Sequence, residues 1–234
     1  MARLRFRDRT DAGRQLAAEL RDFAKDRPLV LALPRGGVPV GLEVARALGA
    51  QLDVWVARKI GVPWQPELGV GAVAEGGVVY ISRELIEQVG LSGLDLATAV
   101  EAKRKEVAER VRKFRGERPR PPVQGRTVIL VDDGVATGGT AHAAITAIRS
   151  EGPKKLILAV PVAAPETLSE LGCDVDRVVC LLTPTNLRAI GLWYDDFTQV
   201  LDTEVVRALE LAREGRSEAP HHRQATTAAR QHDG

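Results

Sequence analysis

The chain has 234 residues, 44% of them apolar and 27% charged, with a formal net charge of +2. That length holds one sizeable core plus accessory segments, in a composition ordinary for a globular protein. The charge is too small to argue for a polyanionic partner, and no apolar run approaches the roughly 20 residues of a membrane span. The N-terminal Met1–Asp8 stretch lacks the apolar core of a secretory signal, so a cytoplasmic protein is expected. Cys173 and Cys180 have neither redox-motif nor zinc-site spacing and read as buried thiols in a reducing compartment.

In chain order, Thr10-Asp11 followed by Leu16, Ala17 and Leu20 predicts a capped amphipathic helix ending near Lys25. Leu29–Leu33 is a short apolar run suited to a strand buried on both faces, and Pro34-Arg35-Gly36-Gly37 breaks it. A helix is expected from about Pro39 to Leu48, with Gly49 at its C-terminal end, and a second strand over Leu52–Ala57. A turn-rich stretch, Gly61–Gly69, precedes a small hairpin, Val70–Ala74 with Val78–Ile81.

Asp95–Arg115 predicts a long helix, stopped by Pro119–Pro122. Lys and Arg concentrate between Arg104 and Arg126, which offers a surface to nucleic acid. A solvated amphipathic helix with a basic connector is preferred, since Phe114 is the only interleaved aromatic. Thr127–Val131 is the third core strand, followed by a helix over Gly139–Ser150. Lys155–Val160 and Val175–Leu182 are two more strands around a helix near Pro165–Leu171, and a last helix spans roughly Glu204–Arg213. The class is therefore α/β: an open twisted parallel sheet of about five strands with helices on both faces. Residues 1–215 form one domain, and the polar, aperiodic segment 216–234 is expected to be disordered. Ligands of such sheets sit beyond the carboxyl ends of the strands, which selects the loops after Leu33, Ala57, Val131 and Leu182.

Thr127-Val-Ile-Leu-Val-Asp-Asp-Gly-Val-Ala-Thr-Gly-Gly-Thr140 is the most informative segment. A buried strand delivers Asp132 and Asp133 to the sheet edge, and a small-residue loop then opens a helix. Gly138 and Gly139 let backbone approach an anion, the helix N-terminus supplies N–H groups, and Thr137 and Thr140 add hydroxyls. The carboxylates suit sugar hydroxyls or a magnesium ion rather than the phosphate itself. A Walker loop would need Lys and then Ser or Thr where Thr140 and Ala141 stand. The glycines do not have dinucleotide spacing, and a phosphoaspartyl hydrolase would want a carboxylate at Gly134.

This segment closely resembles the signature of the type I phosphoribosyltransferases, which bind 5-phosphoribosyl pyrophosphate (PRPP). The resemblance extends over roughly Leu29–Val200. It implies that Asp132 and Asp133 hold the ribose hydroxyls, with magnesium nearby, and that Ala136, Thr137, Gly138, Gly139 and Thr140 wrap the 5-phosphate. Arg35, Gly36 and Gly37 match the pyrophosphate loop. Arg58 and Lys59 are candidates to meet the leaving pyrophosphate from a flexible covering loop, with solvated edge charges as the alternative. Pro66-Glu67-Leu68-Gly69 faintly resembles the loop motif of the adenine branch. Trp193 and Tyr194, in a small hood after the last strand, would stack on a base or else pack the C-terminal helix. The implied reaction is transfer of phosphoribosyl to a nitrogenous base or amine with release of pyrophosphate, by a homodimer. A regulator that senses PRPP or a nucleotide without turnover is the alternative.

Overall fold

The computed structural model describes residues 5–62 and 64–217, apart from the side chains of 65–68 and 215–217. The segment from 218 onward, which holds most of the tail expected to be disordered, lies outside the described residues, as does the Glu67 side chain.

The first helix, α1 (Arg9–Glu19), starts one residue earlier than predicted because Asp8 is its cap, accepting from the Asp11 N–H at 2.7 Å. A 3-10 turn, Arg21–Asp26, follows it. Strand β1 (Leu29–Ala32) leads into α2 (Gly37–Leu48), which Gly49 closes, and then into β2 (Gln51–Val54). Strands β3 (Ala57–Val62), β4 (Gln65–Ala74) and β5 (Val79–Ile81) come next, then helices α3 (Arg83–Val89) and α4 (Gly93–Arg115). The remainder runs β6 (Thr127–Val131), α5 (Gly139–Ser150), β7 (Lys155–Val162), α6 (Pro165–Gly172), β8 (Arg177–Leu182) and α7 (Asp202–Ser217). Helix α7 thus carries through residues 216 and 217, which the sequence pattern places in the tail. No helix among the described residues is long and apolar enough to cross a membrane.

Five strands form the expected parallel sheet in the order β2-β1-β6-β7-β8. Neighbouring residues of β1 serve opposite cores. Val30 and Ala32 pack with α1, α2 and α7, while Leu29 and Leu31 pack with α5. Both faces are covered, which is why these strands read as continuous apolar runs. The chain leaves β1 toward β2 on one side and later returns to pair β6 on the other, so the strand order reverses between β1 and β6. Ala32 stands opposite Val131 there, and the Leu33 N–H donates to the Val131 carbonyl at 2.8 Å. The loops after the two strands therefore emerge side by side.

Three sequence expectations change. The strand expected over Leu52–Ala57 is split between two sheets: β2 ends at Val54, Trp55 N–H bonds Ala32 O at 2.9 Å, and the chain turns away into β3. The turn-rich stretch Gly61–Gly69 is largely an antiparallel ribbon, β3 with β4, irregular at Gly61 and completed by β5 into a three-stranded sheet. Its pairing is set by residues such as Ala57 and Ala74, too far apart for local turn signals to reveal. Finally, Cys173 is exposed and Cys180 half-buried, because the first follows α6 at the surface and the second sits in edge strand β8.

Candidate active site

Five fully enclosed residues make β6 and bring Asp132 and Asp133 to its carboxyl end. The Asp133 N–H donates to Asp132 Oδ1 at 2.9 Å, which sets the two carboxylates side by side. Burial, and then the charge of Asp133, push the Asp132 carboxyl well above the ordinary carboxylate range. Burial also raises Asp133, against the pull of the neighbouring Arg9 guanidinium.

The loop that follows is pinned from three directions. Val135 N–H bonds Val162 O at 2.9 Å, Thr167 Oγ1 donates to Ala136 O at 2.7 Å, and the Tyr194 hydroxyl donates to Asp133 O at 2.6 Å. Gly138, at φ 73°, caps α5 in a conformation that a side chain rarely adopts, and a Cβ there would lie 2.6 Å from Thr167 Cγ2. Gly138, Gly139 and Thr140 therefore open α5 with amides that have no intrahelical partner. They line a cavity of about 250 Å³ together with Asp132, Asp133 and Ala136–Thr137. The arrangement suits one phosphate group held by backbone N–H and hydroxyl donors.

On the other side of Asp133 lies the loop after β1, with a cis Pro34–Arg35 peptide. A Cβ on Gly36 would stand 1.9 Å from Asp133 Oδ2, and one on Gly37 would stand 2.7 Å from Val131 O. Only glycine allows this loop to lie against the acidic pair. Beyond it opens a second cavity of about 440 Å³, lined by Arg9, Arg35, Arg58, Arg110, Asp133 and Phe197 among others. Burial, with Arg58 beside it, lowers Arg110 from the ordinary guanidinium value. Arg35 and Lys113 face Asp202 at 3.7 and 2.5 Å, and the Lys113 hydrogen bond holds that carboxyl below its usual range. Four guanidinium groups converge on this cavity.

The expected residues are thus partly assembled. Asp132, Asp133, Ala136–Thr140, Arg35, Gly36 and Gly37 come together, and Arg58 joins them from β3. Lys59 is not among the residues lining either cavity. Successive strand residues point to opposite faces, and its stem runs across Gly69 of the paired strand. Tyr194 is 4% exposed, with ring centroids 5.4 Å from Phe6 and 5.0 Å from Phe197. Its ring packs in a small cluster with Phe6, Ala12 and Val162 rather than against α7, and Trp193 is partly buried against the same cluster. The aromatic that lines the cavity is Phe197.

Arg9 and Arg110 were not singled out by sequence reasoning. Arg110 belongs to the basic stretch read as solvated, and α4 in fact turns it toward the site, while Arg115 at the helix end is 4% exposed. The spacing of Lys103, Glu106, Arg110 and Lys113 along one helical face was the available signal.

The family model described as the phosphoribosyl transferase domain matches residues 6–196. The chain belongs to that family. A Mycobacterium tuberculosis protein named as a phosphoribosyl transferase is 45% identical over 217 residues, covering 92% of this chain and 48% of its own length. The chain thus spans about half the length of the curated relatives it matches. The crystal structure of TT1426 from Thermus thermophilus superimposes with a TM-score of 0.76 at 41% identity, covering 88% of this chain and 97% of that one. A uracil phosphoribosyltransferase of Lactobacillus gasseri is 46% identical over 59 residues, 24% of this chain and 28% of its own length.

Proposed function

We propose that this phosphoribosyl transferase domain binds PRPP across the acidic pair and transfers its phosphoribosyl group to a nitrogen of a small acceptor, releasing pyrophosphate. The observation that carries the reading is the pair of adjoining cavities that share Asp133. An amide-lined cradle stands on one side, and a chamber ringed by Arg9, Arg35, Arg58 and Arg110 stands on the other. PRPP has the matching form: one phosphate at the sugar 5-position, a diol in the middle and a pyrophosphate at C1.

The chemistry follows from these placements. As the C1–O bond to pyrophosphate breaks, positive charge develops on the ribose ring and negative charge on the leaving group. Arg35 and Arg58 face that leaving group, while Asp132 and Asp133 fix the diol, so the protein works by orientation and by stabilising separated charge. The nitrogen lone pair of the acceptor forms the new bond at C1, and its proton is lost to solvent or a site group. Among the described residues no set of three or more His, Cys, Asp or Glu makes a metal cage. Two hard carboxylates beside two phosphate sites do fit a magnesium ion that keeps most of its water and is held chiefly by substrate phosphates. When bound, that ion would neutralise charge on the pyrophosphate.

Calorimetric titration with PRPP and magnesium tests binding, and pyrophosphate release with a panel of bases and amines tests turnover. No PRPP binding would refute the reading. Binding without release for any acceptor would favour a PRPP-sensing regulator.

A further inference from the structure

Arg9 is held on three sides at the centre of the site. Its Nε donates to Asp133 Oδ2 at 2.7 Å, its Nη1 donates to the Thr198 carbonyl at 2.8 Å, and its guanidinium lies 3.8 Å from the centre of the Phe197 ring. The side chain is 11% exposed and that of Asp133 is 13% exposed, so the pair is shielded from most screening by water. Arg9 sits in the first turn of α1, and the residues before it are bonded to the segment after β8. Phe6 N–H donates to Trp193 O, and Asp195 and Asp196 N–H donate to the carbonyls of Phe6 and Arg7, all at 2.8–2.9 Å. The guanidinium therefore joins the acidic pair of β6 to the wall carrying Phe197.

We infer that Arg9 is a positioning residue of the phosphoribosyl site, acting through Asp133 to lower the negative charge that a polyphosphate ligand must meet. The inference rests on the PRPP reading above. Among the described residues, none lining the cradle cavity is Lys or Arg, so they give that cavity no cation beside the two aspartates. With Arg9 in place, one of the two adjacent carboxylates is neutralised; without it, both face a ligand that carries phosphate at either end. Arg9 also fixes which oxygen is available. Asp133 Oδ2 is occupied by Nε, and Asp132 Oδ1 takes the Asp133 amide, so the remaining oxygens of the pair are directed to the ribose diol. The contact is with Asp133 rather than the cradle, which makes Arg9 a support of the site and not a ligand of the cradle phosphate.

The test compares PRPP affinity, measured by calorimetry with magnesium present, in the wild type, Arg9→Gln and Arg9→Lys. Arg9→Gln keeps a donor for Asp133 but no charge, and its dissociation constant is expected to rise about tenfold or more. The loss should shrink as salt is raised, because repulsion is screened. Arg9→Lys, which retains the charge, should recover much of the affinity. A packing role would lower the melting temperature without producing the salt dependence or the recovery by Lys. Affinity within about twofold of wild type in Arg9→Gln, or no recovery in Arg9→Lys, overturns the inference and leaves the PRPP reading standing. A wild-type protein that binds no PRPP overturns both. If Arg9→Gln does not fold, the comparison of Arg9→Lys with wild type at low and high salt decides: affinity weakened more than about tenfold despite the retained charge would overturn it.

Discussion

Arg115 ends α4 in a buried cluster, and replacing it with Met should destabilise the protein strongly. Its Nε lies 3.1 and 3.3 Å from the Asp53 carboxylate, its Nη2 donates to Val54 O at 2.8 Å, and both terminal nitrogens reach Glu75. The three side chains are 4%, 10% and 11% exposed. Arg115→Met removes the cation and leaves two facing carboxylates out of water. Breaking a buried ion pair by removing one partner costs about 3–5 kcal/mol. At about 2–4 °C per kcal/mol for a chain of this size, the melting temperature should fall by roughly 6–20 °C. Urea unfolding followed by the fluorescence of buried Trp55, next to the cluster, gives the free energy directly. Burial already raises Asp53 above its ordinary value in the folded protein, in spite of Arg115. A raised folded value means the native state holds the proton more tightly, so stability falls as pH rises through it. The deficit of Arg115→Met should therefore be smaller near pH 5 than near pH 8, and adding Asp53→Asn and Glu75→Gln should recover much of it. A loss below about 1 kcal/mol, within the range of exposed pairs, would refute the claim that this cluster pins α4 and the β4–β5 turn to the main sheet.

Gly36→Ala places a methyl group 1.9 Å from Asp133 Oδ2 and must displace that carboxylate, so PRPP affinity by calorimetry should fall about tenfold or more with the fold retained by circular dichroism. Asp132→Asn should abolish PRPP binding yet raise the melting temperature of the ligand-free protein at neutral pH. Burial and Asp133 both oppose ionisation of Asp132, so the native state loses stability as pH rises through its elevated value, a slope the Asn variant should largely lack in thermal melts from pH 4 to 8. Hypoxanthine and guanine should be poor acceptors in a pyrophosphate-release assay, with adenine or an unusual amine better. In the family that the signature resembles, the 6-oxopurine branch carries an aspartate where this chain has Ala136, whose carbonyl is engaged by Thr167, and the Ala136–Thr140 run looks instead like the adenine branch. Efficient release with either purine would count against that expectation.

Several parts of the site were legible because their causes are local. A strand covered on both faces must be apolar throughout, so Thr127–Val131 announces itself, and a helix opened by glycines after two acids leaves few alternatives for Asp132–Thr140. The same logic gave the extents of β6 and α5 as observed. Residues that act through partners far away in the chain were not legible. Arg9 meets Asp133 124 positions later, in an N-terminal stretch where Arg3, Arg5 and Arg7 are equally basic, and nothing nearby distinguishes it. Arg58 and Lys59 could be separated only once β3 was known to pair with β4, since strand alternation sends neighbours to opposite faces. Arg115, Asp53 and Glu75 are each an ordinary surface residue type until three distant segments meet. Local pattern, written in burial period and backbone freedom, determined the parallel sheet, the acidic pair and the glycine-opened loop after it. Which charges converge on the cavity beyond the loop after β1, and which are spent holding the fold together, was decided by tertiary packing, because charge pairing depends on distance in space and carries no period along the chain.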